Sequence, residues 1–423
     1  MVDYTLSVPP VGRLAYHPGT IMPSTVPSAT INTPGVRLAV PPPLALYVHL
    51  PWCVRKCPYC DFNSHEARGA LPEDEYVDAL IADLESTLPS VWGRRVNSIF
   101  FGGGTPSLFS ARSVDRLLAA IRARLPLDPD AEITLEANPG TFESDKFRDF
   151  RAAGVNRLSI GIQSFNPKHL AALGRIHDER EAQRAVEIAH AHFENFNLDL
   201  MFALPNQAVD EADRDVEAAL AARAPHLSFY HLTIEPNTVF FTRPPQLPDE
   251  DTSAEIGDRV ERRLRDAGYD HYETSAYAQP GRACRHNLNY WRFGDYLGIG
   301  AGAHAKLSFA DRIVREARTR TPAEYMRRVT AGAQVVERRD LARSDLPFEF
   351  MMNALRLAEG FPVSMFAERT GLPIVVAERA LAQAEARGLL ERDHERIRPT
   401  ALGRRYLNDL LGLFLPEEGK GKR

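Results

Sequence analysis

Lysine is scarce in this chain: six of the 51 basic residues are Lys and the rest are Arg. Genome base composition explains such a bias more simply than phosphate recognition does. Positive charge is not in excess either, since the formal net charge is −5, which argues against a general nucleic-acid binder. Cysteine is scarcer still. There are four; Cys53, Cys57 and Cys60 stand together and Cys284 stands alone. That is no disulfide framework, and it suits a reducing compartment. No apolar run approaches the ~18 residues of a membrane span. No basic segment followed by an apolar run opens the chain as a secretory signal would. The expectation is a cytoplasmic protein. What is present is ordinary for a globular protein: 44% apolar and 25% charged residues. A length of 423 residues suggests two or three domains.

The densest stretch is YVHLPWCVRKCPYCDFNSH, Tyr47 to His65. Its cysteines have the spacing C-x3-C-x2-C, and three thiolates so close can curl around one metal centre. Thiolates suit zinc and iron–sulfur clusters. A four-iron cube wants four ligands, so three cysteines leave one iron open to a small molecule. The competing reading is a closed zinc site, with His49 or His65 as the fourth ligand. Trp52 and Tyr59 could shield a cluster from water or simply pack the loop.

Residues 1 to 43 are rich in Pro, Ser, Thr and Gly and have no 2.0 or 3.6 period, which reads as an extended or disordered leader. From Leu44 strands alternate with helices. The predicted strands are Leu44 to Leu50, Val96 to Phe101, Ala131 to Glu136, Arg157 to Ile162, Phe196 to Met201 and His226 to Thr233, with a further one at Tyr269 to Ser275. Helices are expected after Pro72 and Ser110, near 143–153, up to about 192, near 209–223 and over Asp251 to Ala267. Such alternation implies parallel strands with right-handed crossovers. Six units are too few for a closed eight-fold barrel and fit an open (β/α)6 partial barrel over 44–275. Its chemistry would sit at the C-terminal strand ends. The cysteine loop, the glycine run at Gly102 to Gly104, Glu136, Gln163 and Asp199 all fall there. A structural zinc knuckle would not need that convergence. Residues 276–342 read as a loop-rich extension, loop-like above all over 281–305. Residues 343–415 read as a mostly helical, winged-helix-like domain. Met351, Met352, Leu355 and Leu357 are expected in one helix, Val363 to Arg369 and Ile374 to Arg387 in two more, Leu389 to Pro399 in a hairpin, and Leu402 to Leu413 in a closing helix. A DNA-binding role does not follow from such a module. The tail from Pro416 is expected to be disordered.

C-x3-C-x2-C is the signature of radical S-adenosylmethionine (SAM) enzymes. With FFGGGTPSL, LEANPG, NRLSIGIQSF, LGRIHD, NLDLMFALP and HNLNYW, the chain resembles the oxygen-independent coproporphyrinogen III oxidase-like family of that superfamily. Within it the chain is similar to the haem-chaperone branch, HemW, over roughly residues 44 to 410. True oxidases carry a further cysteine two positions beyond the third, where this chain has Phe62, and the HNxxYW stretch, His286 to Trp291, marks the chaperone branch.

The resemblance implies a partial radical SAM barrel and a [4Fe-4S] cluster on Cys53, Cys57 and Cys60, with SAM on the open iron. One electron from such a cluster breaks the S–C5′ bond of SAM and makes a 5′-deoxyadenosyl radical. It implies SAM contacts at Tyr47, Tyr59, Gly103, Gly104, Thr105, Glu136, Gln163, Arg175 and Asp199. It implies haem on His286, with Asn287, Tyr290 and Trp291 packing the porphyrin. Read without the resemblance, the glycines make a tight turn, the charges form ion pairs and His286 is a hydrogen-bonded histidine. GIGAGA before His304 mimics a dinucleotide pattern but lacks its helix. The implied function is haem transfer to an acceptor protein, perhaps a respiratory one. The implied partners are a reductant such as a flavodoxin or ferredoxin, with a homodimer and attachment to the inner membrane through partners left open. The alternatives are a coproporphyrinogen III dehydrogenase and a zinc-stabilised binding module. Phe62 and HNxxYW weigh against the dehydrogenase, and SAM cleavage stays open.

Overall fold

The computed structural model describes residues 36–141 and 143–416. Most of the expected leader, residues 1–35, and nearly all of the expected disordered tail lie outside the described residues.

A single twelve-stranded sheet organises the chain. Its strands are β1 (Leu44–Leu50), β2 (Val96–Gly103), β3 (Leu127–Ala137), β4 (Arg157–Gln163), β5 (Phe196–Phe202), β6 (His226–His231), β7 (Asp270–Glu273), β8 (Ala276–Ala278), β9 (Asp295–Ile299), β10 (His304–Ser308), β11 (Ile313–Arg318) and β12 (Val335–Asp340). Their order is β12-β11-β10-β9-β1-β2-β3-β4-β5-β6-β8-β7. Strands β1 to β6 are parallel and adjacent in chain order. β1 is nearly buried on both faces, as a central parallel strand should be. The helices between them are set by local signals. Ser110 caps Ala111–Arg124 by accepting from Ser113 N. Asp178 and Glu181 form a capping box at Glu179–His192. Their apolar faces join one large core with Leu46, Val48, Phe101, Leu135, Ile160 and Leu198.

The region from 276 to 342 is more ordered than its sequence suggests. β9 is a seventh parallel strand, paired with β1 at Leu46–Leu297. Residues expected as loop form the helix Arg285–Trp291, then β9 and β10. Hairpins β10–β11 and β11–β12 run antiparallel and extend one edge. The strand expected at Tyr269 to Ser275 is β7, in an antiparallel hairpin with β8.

The sheet does not close, and residues from 341 onward bridge the gap. Helix Leu346–Ala354 puts Glu349 on Arg315 of β11. Just past its end, Thr274 N donates to Arg356 O and Ala358 N to Tyr272 O, beside β7. This module has helices Val363–Thr370 and Glu378–Ala386 and a three-stranded antiparallel sheet. Its core centres on Phe350, against Phe293, Phe361 and Phe366. Three expectations are corrected here. The helix holding Met351 and Met352 ends at Ala354, so Leu355 and Leu357 lie beyond it. The expected 374–387 helix is a 3-10 turn, Ile374–Ala377, followed by Glu378–Ala386. The closing helix breaks at Tyr406. The last leader residues differ too: Val36 and Leu38 bury their side chains in the module's core, and Leu38 N donates to Ala310 O. Their apolar character is too brief to give a period.

Candidate functional site

The cysteine loop leaves the C-terminal end of β1 and is fastened by its backbone. His65 N donates to Pro51 O, Ala67 N to Cys53 O, and Cys60 N to Cys57 O. All three thiols are partly buried. Burial raises the Cys53 thiol and pushes Cys60 up to about 11. Among the described residues no group of His, Cys, Asp or Glu is drawn together as a single-ion site. His49 is already committed. Its Nε2 lies 2.9 Å from Asn63 O, an acceptor, so Nε2 carries the proton and Nδ1 accepts from Tyr47 OH at 2.9 Å. Burial lowers its pKa to about 4. It is a neutral strut, not a zinc ligand.

Asn63 was not singled out in the sequence, yet it locks the loop. Its Nδ2 donates to Ala301 O at 2.9 Å and Arg320 O at 2.8 Å. This explains GIGAGA. A Cβ on Gly300 would stand 2.5 Å from His49 O, and one on Gly302 would stand 2.3 Å from Asn63 Nδ2. The glycines let the two loops touch. The only hint in the sequence was an Asn three residues beyond the last clustered cysteine.

The glycine run at the end of β2 has a similar internal cause. Gly103 has φ +117 and lies under the His49 ring, and a Cβ on Gly104 would stand 2.4 Å from Trp52 O. Gly103 N donates to Glu136 Oε2 at 3.1 Å, and burial raises the Glu136 carboxyl. Thr105 is buried, accepts from Asn138 Nδ2 at 2.8 Å, and lends its hydroxyl to Cys53. Arg175 reaches in from beyond β4. Its Nη2 donates to Asn138 Oδ1 and Gly161 O, and its Nη1 lies 3.6 Å from Cys57 Sγ. Tyr59 packs beside a small apolar cluster of Leu173, Leu204, Leu232 and Phe240. Asp199 accepts from Ser159 Oγ and Asn197 Nδ2, both at 2.8 Å.

These residues fit a bound polar group beside three thiolates. Gln163 Oε1 and Arg175 Nε are buried without hydrogen-bond partners. Gln163 also holds a left-handed backbone, φ +60, at a register shift between β4 and β5. An unsatisfied buried polar atom costs ~1–3 kcal/mol, and strain of this kind gathers at functional sites.

Behind the loop is a cavity of about 730 Å³. Tyr47, Phe62, Phe100, Gly103 and Asp199 line it from the barrel strands and the cysteine loop, Tyr290 and Trp291 from the helix Arg285–Trp291, and Phe348 and Met352 from the bridging helix. His286 is not in that wall. Its helix precedes β9, so it sits at the N-terminal strand ends, opposite the cysteine loop. The ring is fully buried between Phe100 and Tyr290. Ser98 Oγ spends its proton on Asn97 Oδ1, so His286 Nδ1–H donates to Ser98 at 3.0 Å. Nε2 is left as a bare lone pair with no partner. Burial holds the imidazole neutral by pushing its pKa well down.

A model of the radical SAM superfamily matches residues 47–219, and one of the HemN C-terminal domain matches residues 341–406. A protein of Escherichia coli (strain K12) named Heme chaperone HemW is 52% identical over 378 residues, covering 89% of this chain and 99% of that one. The chain belongs to the HemW family of radical SAM proteins. The family reaches far. A Mycobacterium tuberculosis (strain ATCC 25618 / H37Rv) protein of the same name is 35% identical over 386 residues, covering 89% and 96% of the two chains. The Bos taurus protein named Radical S-adenosyl methionine domain-containing protein 1, mitochondrial, is 36% identical over 381, covering 87% and 86%. Among solved structures, Escherichia coli coproporphyrinogen III oxidase (HemN) matches with a TM-score of 0.75 at 24% identity, covering 88% and 90% of the two chains. At that identity the match shows the fold alone. None of the described helices is long and apolar enough to cross a membrane.

Proposed function

We propose that this protein is a haem chaperone that carries a [4Fe-4S] cluster and SAM and hands haem to an acceptor protein. The observation that carries the reading is the large, aromatic-lined cavity between the cysteine loop and the HNxxYW helix. The names of the HemW-family relatives point the same way.

In this reading Cys53, Cys57 and Cys60 hold the cluster. Bound there, it supplies one-electron chemistry to SAM. Thr105 and Arg175 flank two of the ligand thiols. Gln163 Oε1 and Arg175 Nε supply unspent polar contacts for SAM. Tyr47, Tyr59, Gly103, Gly104, Glu136 and Asp199 complete its surroundings. His286 is the haem-iron ligand: a neutral imidazole fixed through Nδ1 with Nε2 free is the form an iron takes. The ring is enclosed, so it would meet haem only where its packing against Phe100 and Tyr290 opens. The cytoplasm, a reductant such as a flavodoxin or ferredoxin, and assembly as a homodimer belong to the same proposal.

The test is anaerobic reconstitution followed by haem titration, with a coproporphyrinogen III assay alongside. Saturable haem uptake with no protoporphyrinogen is expected. Turnover of coproporphyrinogen would replace this reading with the dehydrogenase.

A further inference from the structure

One charged side chain in the cavity wall has no use in that reading. Arg157 is the first residue of β4, at the inner end of the lumen. Its side chain is 2% exposed. The one ion pair it makes among the described residues is with Glu132, Nε to Oε2 at 4.0 Å. That is beyond hydrogen-bond reach, and Nε has no hydrogen-bond partner. Glu132 is engaged elsewhere, accepting from Cys284 Sγ and from the backbone N–H groups of Arg285 and His286.

The other buried or half-buried cations of the same wall each meet a carboxylate within hydrogen-bond reach, although Arg315 Nε and Arg318 Nη2 are also left without partners. Lys306 lies 2.9 Å from Asp295, Arg315 bonds Glu349, and Arg318 lies 3.3 Å from Asp83. Around Arg157, the carboxylates of Glu132 and Asp199 offset its charge from a distance, but neither hydrogen-bonds its fork. His226 uses both ring nitrogens, on Asn197 Oδ1 and Tyr272 OH. The Asp199 carboxylate is held by Ser159 and Asn197. A guanidinium cannot shed its charge and presents five donors in a rigid fork. Buried with so few acceptors it is costly, and its fork matches a carboxylate.

We propose that Arg157 anchors a carboxylate of the molecule that fills the lumen, so that a planar tetrapyrrole enters with a propionate pointing inward. This rests on the haem reading above. The experiment titrates haem and haem dimethyl ester into the full-length, cluster-loaded protein, comparing wild type, R157Q and R157K. Circular dichroism and iron content check that the variants fold. Wild type should bind haem about tenfold or more tighter than the ester, the worth of a charge-assisted hydrogen bond. R157Q should bind both alike, and R157K should keep part of the preference. R157Q sees the same added methyl groups, so it controls for their bulk. Equal binding of both ligands by wild type overturns the carboxylate anchor, and so does a full preference retained by R157Q; haem binding itself stands in both cases. If wild type takes up neither ligand, the haem reading fails and the anchor falls with it.

Discussion

Replacing Asn63 by Ala tests how the cysteine loop is held. The substitution removes two hydrogen bonds, to Ala301 O at 2.9 Å and Arg320 O at 2.8 Å, and leaves the Asn63 carbonyl that receives His49 Nε2. At ~0.5–1.5 kcal/mol each, they contribute about 1–3 kcal/mol to keeping the loop closed. The open population should therefore rise roughly 5- to 150-fold. N63D should be worse, since it sets a carboxylate against the same two carbonyl oxygens. The assay is hydrogen–deuterium exchange of the full chain without cluster, read on peptides spanning residues 53–66. Exchange there should accelerate while the β1 and β2 peptides stay protected. In the reconstituted protein the cluster absorbance should bleach faster in air. A folded N63A variant with wild-type exchange over 53–66 would show that the contact with the Gly300–Gly302 turn does not hold the loop.

Three further outcomes are expected. Cys57→Ser should abolish cluster loading, and unchanged iron content after anaerobic reconstitution would remove Cys57 from the ligand set. Gly104→Ala places a Cβ 2.4 Å from Trp52 O, so about 1–3 kcal/mol of stability should be lost; an unshifted urea midpoint contradicts that packing. His49 has its pKa lowered from 6.5 to about 4, so its contribution is present above pH 6.5 and is lost as the pH falls through about 4. That loss amounts to about 3 kcal/mol. His49→Gln should flatten the unfolding free energy over this window relative to wild type, and identical pH profiles would refute the assignment.

The barrel strands were legible because each is a compact apolar run bounded by capping and turn residues. The predicted Arg157–Ile162 and the observed β4, for example, differ by one residue. The cysteine loop and the strand-end polar residues were legible from spacing and position. Other features needed three dimensions. β9 is five residues of Asp, Tyr, Leu, Gly and Ile inside a glycine-rich stretch, and pairing with β1 makes it a strand. The glycines of GGG and GIGAGA read as turns or ligand loops. Their necessity lies in the backbone and side chains of Trp52, His49 and Asn63, distant in sequence from both runs or from one of them. Arg157 looks like any strand-opening arginine until its burial and lack of acceptors are seen. His286 reads from the sequence as a hydrogen-bonded loop histidine, and by resemblance as a haem ligand. It is enclosed, and its use of Nδ1 on Ser98 leaves Nε2 as the free atom.

The proposed function requires three thiols that grip an iron–sulfur cube and leave one iron for a cofactor. The most direct measurement is the metal and acid-labile sulfide content of the full-length protein after strictly anaerobic reconstitution. About four irons and four sulfides per chain are expected, lost together when any of Cys53, Cys57 or Cys60 is replaced. One zinc per chain with no sulfide would contradict the proposed function.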